Sequence, residues 1–171
     1  MMELREAKQQ FFALRNGLLA DTIRQQTADP HRLIFGLNLP QLTEIAAQTD
    51  KDETLADTLW ADADCRESRL LAPMVCPHEA PRTQWLEQVK SVEEADILCH
   101  RLLRHQPEAE TTALRLTASS DPLMRYAALR LLLNLMPASA DAASSVIGTI
   151  PEHHLTSGIV RQINEELQWL K

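Results

Sequence analysis

One acidic side chain stands where an acid is least expected. Asp96 lies in the stretch EEADILCHRLL, whose apolar residues Ile97, Leu98 and Leu102 mark it as helical. Aspartate is a poor residue in the middle of a helix because its carboxylate competes for backbone hydrogen bonds. Two accounts are open: a solvated acid beside Glu93 and Glu94, or a carboxylate set on a working face among arginines. The other chemistry-bearing residues offer less. His100 and His105 are five apart and share no helix face; His153 and His154 are adjacent and diverge. Cys76, His78 and Glu79 share a Pro-bounded loop, but a fourth metal ligand is not evident, so neither a metal nor another cofactor is expected. No phosphate-binding Gly-rich loop, GxSxG elbow or HExxH pair occurs.

Composition narrows the elements that must position Asp96. The 171 residues are rich in Leu and Ala, which favour helix, and contain only four glycines, too few for the turns of an all-β fold. Net charge is −7, which opposes non-specific nucleic-acid binding without excluding a local basic stripe. Arginine outnumbers lysine thirteen to four, and arginine suits bidentate phosphate or carboxylate recognition. Three cysteines with no CxxC spacing predict no disulfide framework, and with no apolar leader or membrane-length run the expected location is cytoplasmic.

Periodicity predicts helices throughout. Leu4, Phe11, Phe12, Leu14, Leu18, Leu19 and Ile23 form one stripe, read as a single first helix ending before Asp29-Pro30. Pro40 opens a helix to about Thr49, Asp52 caps one through Trp60, and Asp64 caps one from Cys65 to Met74. Pro77 and Pro81 break the chain. A helix over about 83–89 follows, then one over 92–104 with a Ser91/Glu94 capping box. Helices from Pro107 to about Ala118 and from Asp121-Pro122 to near Met136 come next, and a last pair over 141–148 and 156–170.

These helices repeat. LWADADCRESRLLA (59–72) aligns without a gap on LTASSDPLMRYAAL (116–129), an offset of two units of roughly 28 residues, with QVKSVEEADILCHRLL between them. The expected fold is all-α: a HEAT-like or ARM-like superhelical solenoid of antiparallel helix pairs, as a single domain. Within it, 1–50 would be capping helices, 51–136 the central repeats and 137–171 the final pair. The second helix of each pair would line a concave face. Arg66, Arg69, Arg101, Arg104, Arg125 and Arg130 all fall on second helices, which would set a stripe of arginines around Asp96, with Arg69 and Arg125 nearest to it.

The segments LADTLWADADCRESRLLAPMV, KSVEEADILCHRLL after Trp85, and SSDPLMRYAALRLLL resemble, in that order, the motifs of the AlkD-type DNA alkylation repair glycosylases. FGLNLPQLTEIAAQ upstream is similar to a further segment of that family, so the resemblance covers about residues 34–135. It implies a HEAT-like fold that removes cationic alkylated bases from DNA, such as 3-methyladenine and 7-methylguanine, without flipping them into a pocket. An aspartate would stabilise the charge developing on the sugar while two tryptophans pack against the lesion. By this resemblance the aspartate is Asp96. The tryptophan positions fall on Val92 and Leu123, so both aromatic contacts are absent, and with them the cation–π attraction for a charged base. Glu93 stands for the second acid of the middle motif, Arg125 and Tyr126 for the paired arginines of the third.

Two functions follow. One is a diverged binding module, with glycosylase activity reduced or lost, which uses Arg66, Arg69, Arg101 and Arg125 toward double-stranded DNA or a protein or peptide on the concave face. The other is an active glycosylase relying on Asp96.

Overall fold

A computed structural model describes residues 1–171, and regular structure in it is helical, apart from one isolated bridge between Leu33 and Cys65. Contacts divide the chain into two compact units, Met1–Ala80 and Pro81–Lys171. The boundary falls at the Pro77–Pro81 break and cuts through the stretch assigned to central repeats.

The first unit holds α1 (Leu4–Leu14), α2 (Gly17–Thr27), α3 (Leu39–Ala47), α4 (Glu53–Ala61) and α5 (Arg66–Val75). The single N-terminal helix expected from the apolar stripe is in fact two. Asn16 takes an extended backbone, and its side chain accepts the Leu19 amide, so it starts a new helix where the old one would have continued. α3 begins with a reciprocal box: Asn38 accepts from the Gln41 amide and Gln41 from the Asn38 amide, with Pro40 in the first turn. Asp52 caps α4 by accepting the Leu55 amide. Asp64 does not cap α5. Cys65 holds that position, and the Asp64 carbonyl instead accepts from the Leu33 amide. α5 is the unit's central helix, with all ten residues buried and α3 and α4 packed on it.

The second unit begins with a 3-10 segment, Thr83–Gln88, where a helix to Val89 was expected, followed by α6 (Val92–Arg101). α7 (Ala109–Leu116), α8 (Pro122–Asn134), α9 (Ala140–Val146) and α10 (Ser157–Trp169) complete it. α8 is its central helix: α6, α7, α9 and α10 all pack on it, and Ala127, Ala128, Leu129, Leu131 and Leu132 are fully buried. Asp121 caps α8 as its position before Pro122 predicts, accepting the Leu123 amide. α6 is shorter than expected. It stops at Arg101, and Leu103–His105 is a separate 3-10 turn, so His100 and His105 are not on one helix.

Candidate nucleic-acid interface and the Asp96 site

α6 carries Asp96 and starts firmly. Ser91 accepts the Glu94 amide at 3.1 Å, while the Glu94 carboxylate accepts the Lys90 amide at 2.9 Å, one residue earlier than a true capping box would require. Two turns of α8 then face the acid. The Tyr126 hydroxyl donates to Asp96 Oδ1 at 2.6 Å, and Arg130 Nε lies 3.0 Å from the same oxygen. Arg130 Nη2 also donates to the Tyr126 oxygen at 2.9 Å. Tyr126 and Arg130 are four apart, so one face of α8 presents both. The result is a closed group of three in which the phenol accepts from the guanidinium and donates to the carboxylate.

Electrostatics in this triad follow from partial burial. Asp96 keeps 40% of its side chain exposed. Burial pushes its carboxyl above the ordinary range; the Tyr126 hydrogen bond and the Arg130 charge pull it back only in part. Burial, with Asp96 beside it, pushes the Tyr126 phenol up to about 12, so it remains a neutral donor at physiological pH. Oδ1 receives both donors, leaving Oδ2 as the oxygen for any further contact. A carboxylate paired in this way is well oriented, but much of its charge is offset by Arg130.

Of the arginines expected around Asp96, Arg130 pairs with it, while Arg69, Arg125 and Arg66 are placed otherwise. Arg69 belongs to the first unit, where its guanidinium stacks 4.1 Å over the buried Trp60 ring. Arg125 is 8% exposed and donates from Nη1 to the Ser119 carbonyl at 2.8 Å, closing the loop before α8. Arg66, 3% exposed, donates to the Leu37 carbonyl and to Glu67 at 2.6 Å. All three are buried, and from such positions a guanidinium reaches a phosphate only by repacking. Arg101 differs. It is half-buried at the end of α6, next to His100 and followed by Arg104 and His105, all three exposed. Burial, then the charges of Arg104 and Arg101, hold the His100 imidazole below its ordinary range, which marks a locally positive field. Val92 and Leu123, at the tryptophan positions, are both half-buried aliphatics.

Arg130 belongs to the arginine stripe expected around Asp96, and the partner that periodicity did not assign to the acid is Tyr126. Its signal was the repeat itself. Asp96 and Tyr126 lie 30 residues apart, about one helix pair, which sets them on adjacent second helices. Among Cys76, His78 and Glu79 no cluster forms: Cys76 is buried with its thiol toward the Pro77 carbonyl, while His78 and Glu79 are exposed. No group of three His, Cys, Asp or Glu side chains is arranged to hold a metal ion.

Residues 7–154 match the model of a family described as DNA alkylation repair enzyme. The chain belongs to that family. Among solved structures, one aligns over 97% of this chain and 76% of its own, with a TM-score of 0.77 and 18% identity. That structure is described as representing a new family of proteins related to the HEAT-like repeat DNA glycosylases with affinity for branched DNA structures. At this identity the likeness establishes the fold, which is HEAT-like. Curated proteins offer no sequence match. No helix is long and apolar enough to cross a membrane.

Proposed function

We propose that this family member is a DNA-binding HEAT-like module in which base excision has been lost or much reduced. The observation that carries this reading is the Asp96 site. The acid's Oδ1 is tied to Tyr126 and Arg130, and aliphatic Val92 and Leu123 stand where aromatic rings would hold a cationic base. An oxocarbenium-like transition state needs uncompensated negative charge close by. A guanidinium 3.0 Å from the carboxylate works against that. Arg101 and Arg104, at the end of α6, offer positive charge for phosphate contacts. Branched DNA is the first ligand to test, because a protein of the same fold has affinity for it.

The second reading, a glycosylase that uses Asp96, is favoured by one observation: the carboxyl stays 40% exposed at the family's aspartate position. A single pair of experiments separates the two. Treated DNA carrying 7-methylguanine and 3-methyladenine is incubated with excess protein, and four-way and linear duplexes are titrated across a salt series. The binding module predicts no base release, together with DNA binding that weakens as salt rises. Base release abolished by Asp96→Asn would establish the enzyme instead. Neither release nor salt-dependent binding would end both readings.

A further inference from the structure

The first unit carries an apolar groove that its own chain leaves open. α1 lines one part through Leu4, Arg5, Lys8, Gln9 and Phe12, residues that recur on one face of the helix. Phe12 continues into a second part with Arg15, Leu33 and Phe35. Phe12 is 56% exposed and Leu18, on neighbouring α2, 82%; Leu14 and Leu33 are exposed beside them. α2 buries none of its residues. These side chains give the unit an apolar surface for a partner to cover.

Charge selects the partner. The groove's titratable lining is Arg5, Lys8 and Arg15, with no carboxylate among the lining residues. Arg15 lies 3.8 Å over the Phe12 ring, and Lys8 pairs with Asp62 at the edge. The surrounding unit is nonetheless acidic: residues 1–80 hold 8 Lys and Arg against 13 Asp and Glu, a net of −5. A long duplex would meet that field over many phosphates. A short apolar element with a few acids would meet only the basic groove.

The C-terminal end of α10 has that chemistry. Trp169 is 86% exposed and Leu170 is exposed beside it. Glu165 and Glu166 lie four and three residues before Trp169, hence on its face one turn earlier, and both are exposed. The other two tryptophans, Trp60 and Trp85, are buried. We propose that the α1–α2 groove of one molecule receives the α10 end of a second copy, Trp169 entering beside Phe12 and Leu18 while Glu165 and Glu166 meet Arg5 and Arg15. The contact is heterologous, groove to helix end, so it leaves one unused groove and one unused helix end on every dimer and can extend into a chain.

Sedimentation velocity over the micromolar range tests this, with tryptophan emission recorded on the same samples. The expected result is concentration-dependent association accompanied by a blue shift, since Trp169 is the one indole with solvent to lose. Leu18→Glu and Trp169→Ala should each weaken association by about tenfold or more. Both side chains are exposed, so neither change disturbs the core. A mixture of the two variants should form a dimer that grows no further, because one intact groove and one intact helix end remain. The proposal is overturned if the protein stays monomeric throughout the range, or if Trp169→Ala associates undiminished, which would indicate groove-to-groove pairing. A monomer whose affinity for branched DNA falls on Leu18→Glu would assign the groove to DNA and overturn it too.

Discussion

The central helices of the two units, α5 and α8, occupy matching places in the repeat, and the Glu67–Arg66 pair of α5 holds charge differently from the group that Tyr126 and Arg130 of α8 form with Asp96. The gapless alignment of 59–72 on 116–129 sets Glu67 against Met124 and Arg69 against Tyr126. On α5, ionic groups are buried outright. Glu67 has no exposure and accepts from the Phe35, Gly36 and Leu37 amides at 2.9, 3.1 and 3.4 Å, while Arg66 closes the pair. On α8, Tyr126 and Arg130 reach outward to Asp96, which stays partly open to solvent. Buried charge of the first kind builds the unit, because the Glu67 carboxylate is held by partners that a ligand would have to displace. Half-exposed charge of the second kind is the sort that a ligand can still engage.

The sharpest way to break this contrast is at Glu67. Glu67→Ala leaves three backbone amides and the Arg66 guanidinium buried without their acceptor, a loss of about 3–5 kcal/mol. Urea denaturation should register it as a collapse in midpoint, and Glu67→Gln, which keeps an acceptor oxygen, should lose less. An exposed-type response, under about 1 kcal/mol for the alanine variant, would erase the distinction between the helices.

Gly36 tests the same clamp from the loop it holds. Its φ is +88°, and a Cβ there would lie 2.2 Å from the Asn16 carbonyl oxygen. Gly36→Ala should therefore cost about 2 kcal/mol or more through strain and displacement of the α2 start. A thermal melt unchanged by the substitution would show that the loop can move away.

On the α8 side the effect should be smaller. Tyr126→Phe removes one hydrogen bond from a carboxylate that keeps Arg130, a loss of about 1–2 kcal/mol. Because that bond holds the Asp96 carboxyl down, its titration, followed by NMR, should move further up in the variant. A downward shift would contradict the arrangement.

The smallest effect is one of sign. In the first unit, burial raises the Asp29 carboxyl, but the side-chain and backbone hydrogen bonds of His31 and the nearby positive charge more than reverse this, so its value is lowered. Asp29 thus adds stability above the unfolded carboxyl range, lost as pH falls through the lowered folded value. Asp96, raised in the fold, adds stability below its ordinary 3.8 and loses it as pH rises through the raised value. Denaturation midpoints across the acidic range should show Asp29→Asn flattening the loss of stability at low pH, while Asp96→Asn flattens a loss on the higher side. Equal slopes in the two variants would refute the opposition.

Much of the fold could be read before any coordinates. Proline and capping residues located α3, α4 and α8 within a few positions, since Asn38, Asp52 and Asp121 act through hydrogen bonds only two or three residues long. The break at Asn16 was hidden because the apolar stripe runs through it, and periodicity registers faces rather than chain direction. Asp64 misled for a related reason: its local pattern is that of a cap, but its carbonyl is drawn to Leu33, far away in sequence.

The candidate site was half legible. Asp96 stood out because an acid inside a helix conflicts with local propensity, and such conflicts can be seen within a single turn. The roles of the arginines were not. Arginines 66, 69, 125 and 130 all sit on second helices of repeats, and their spacing treats them alike. Tertiary packing alone separates Arg66 and Arg125, closed into the interior by the Leu37 and Ser119 carbonyls, from Arg130, set against Asp96. Helix type, helix ends and the repeat depend on neighbours a few residues away, so the chain itself determined them. Which charged groups are interior and which face outward depends largely on contacts about 30 residues apart, Arg66 with Leu37 and Asp96 with Tyr126, and only the packed structure could decide it.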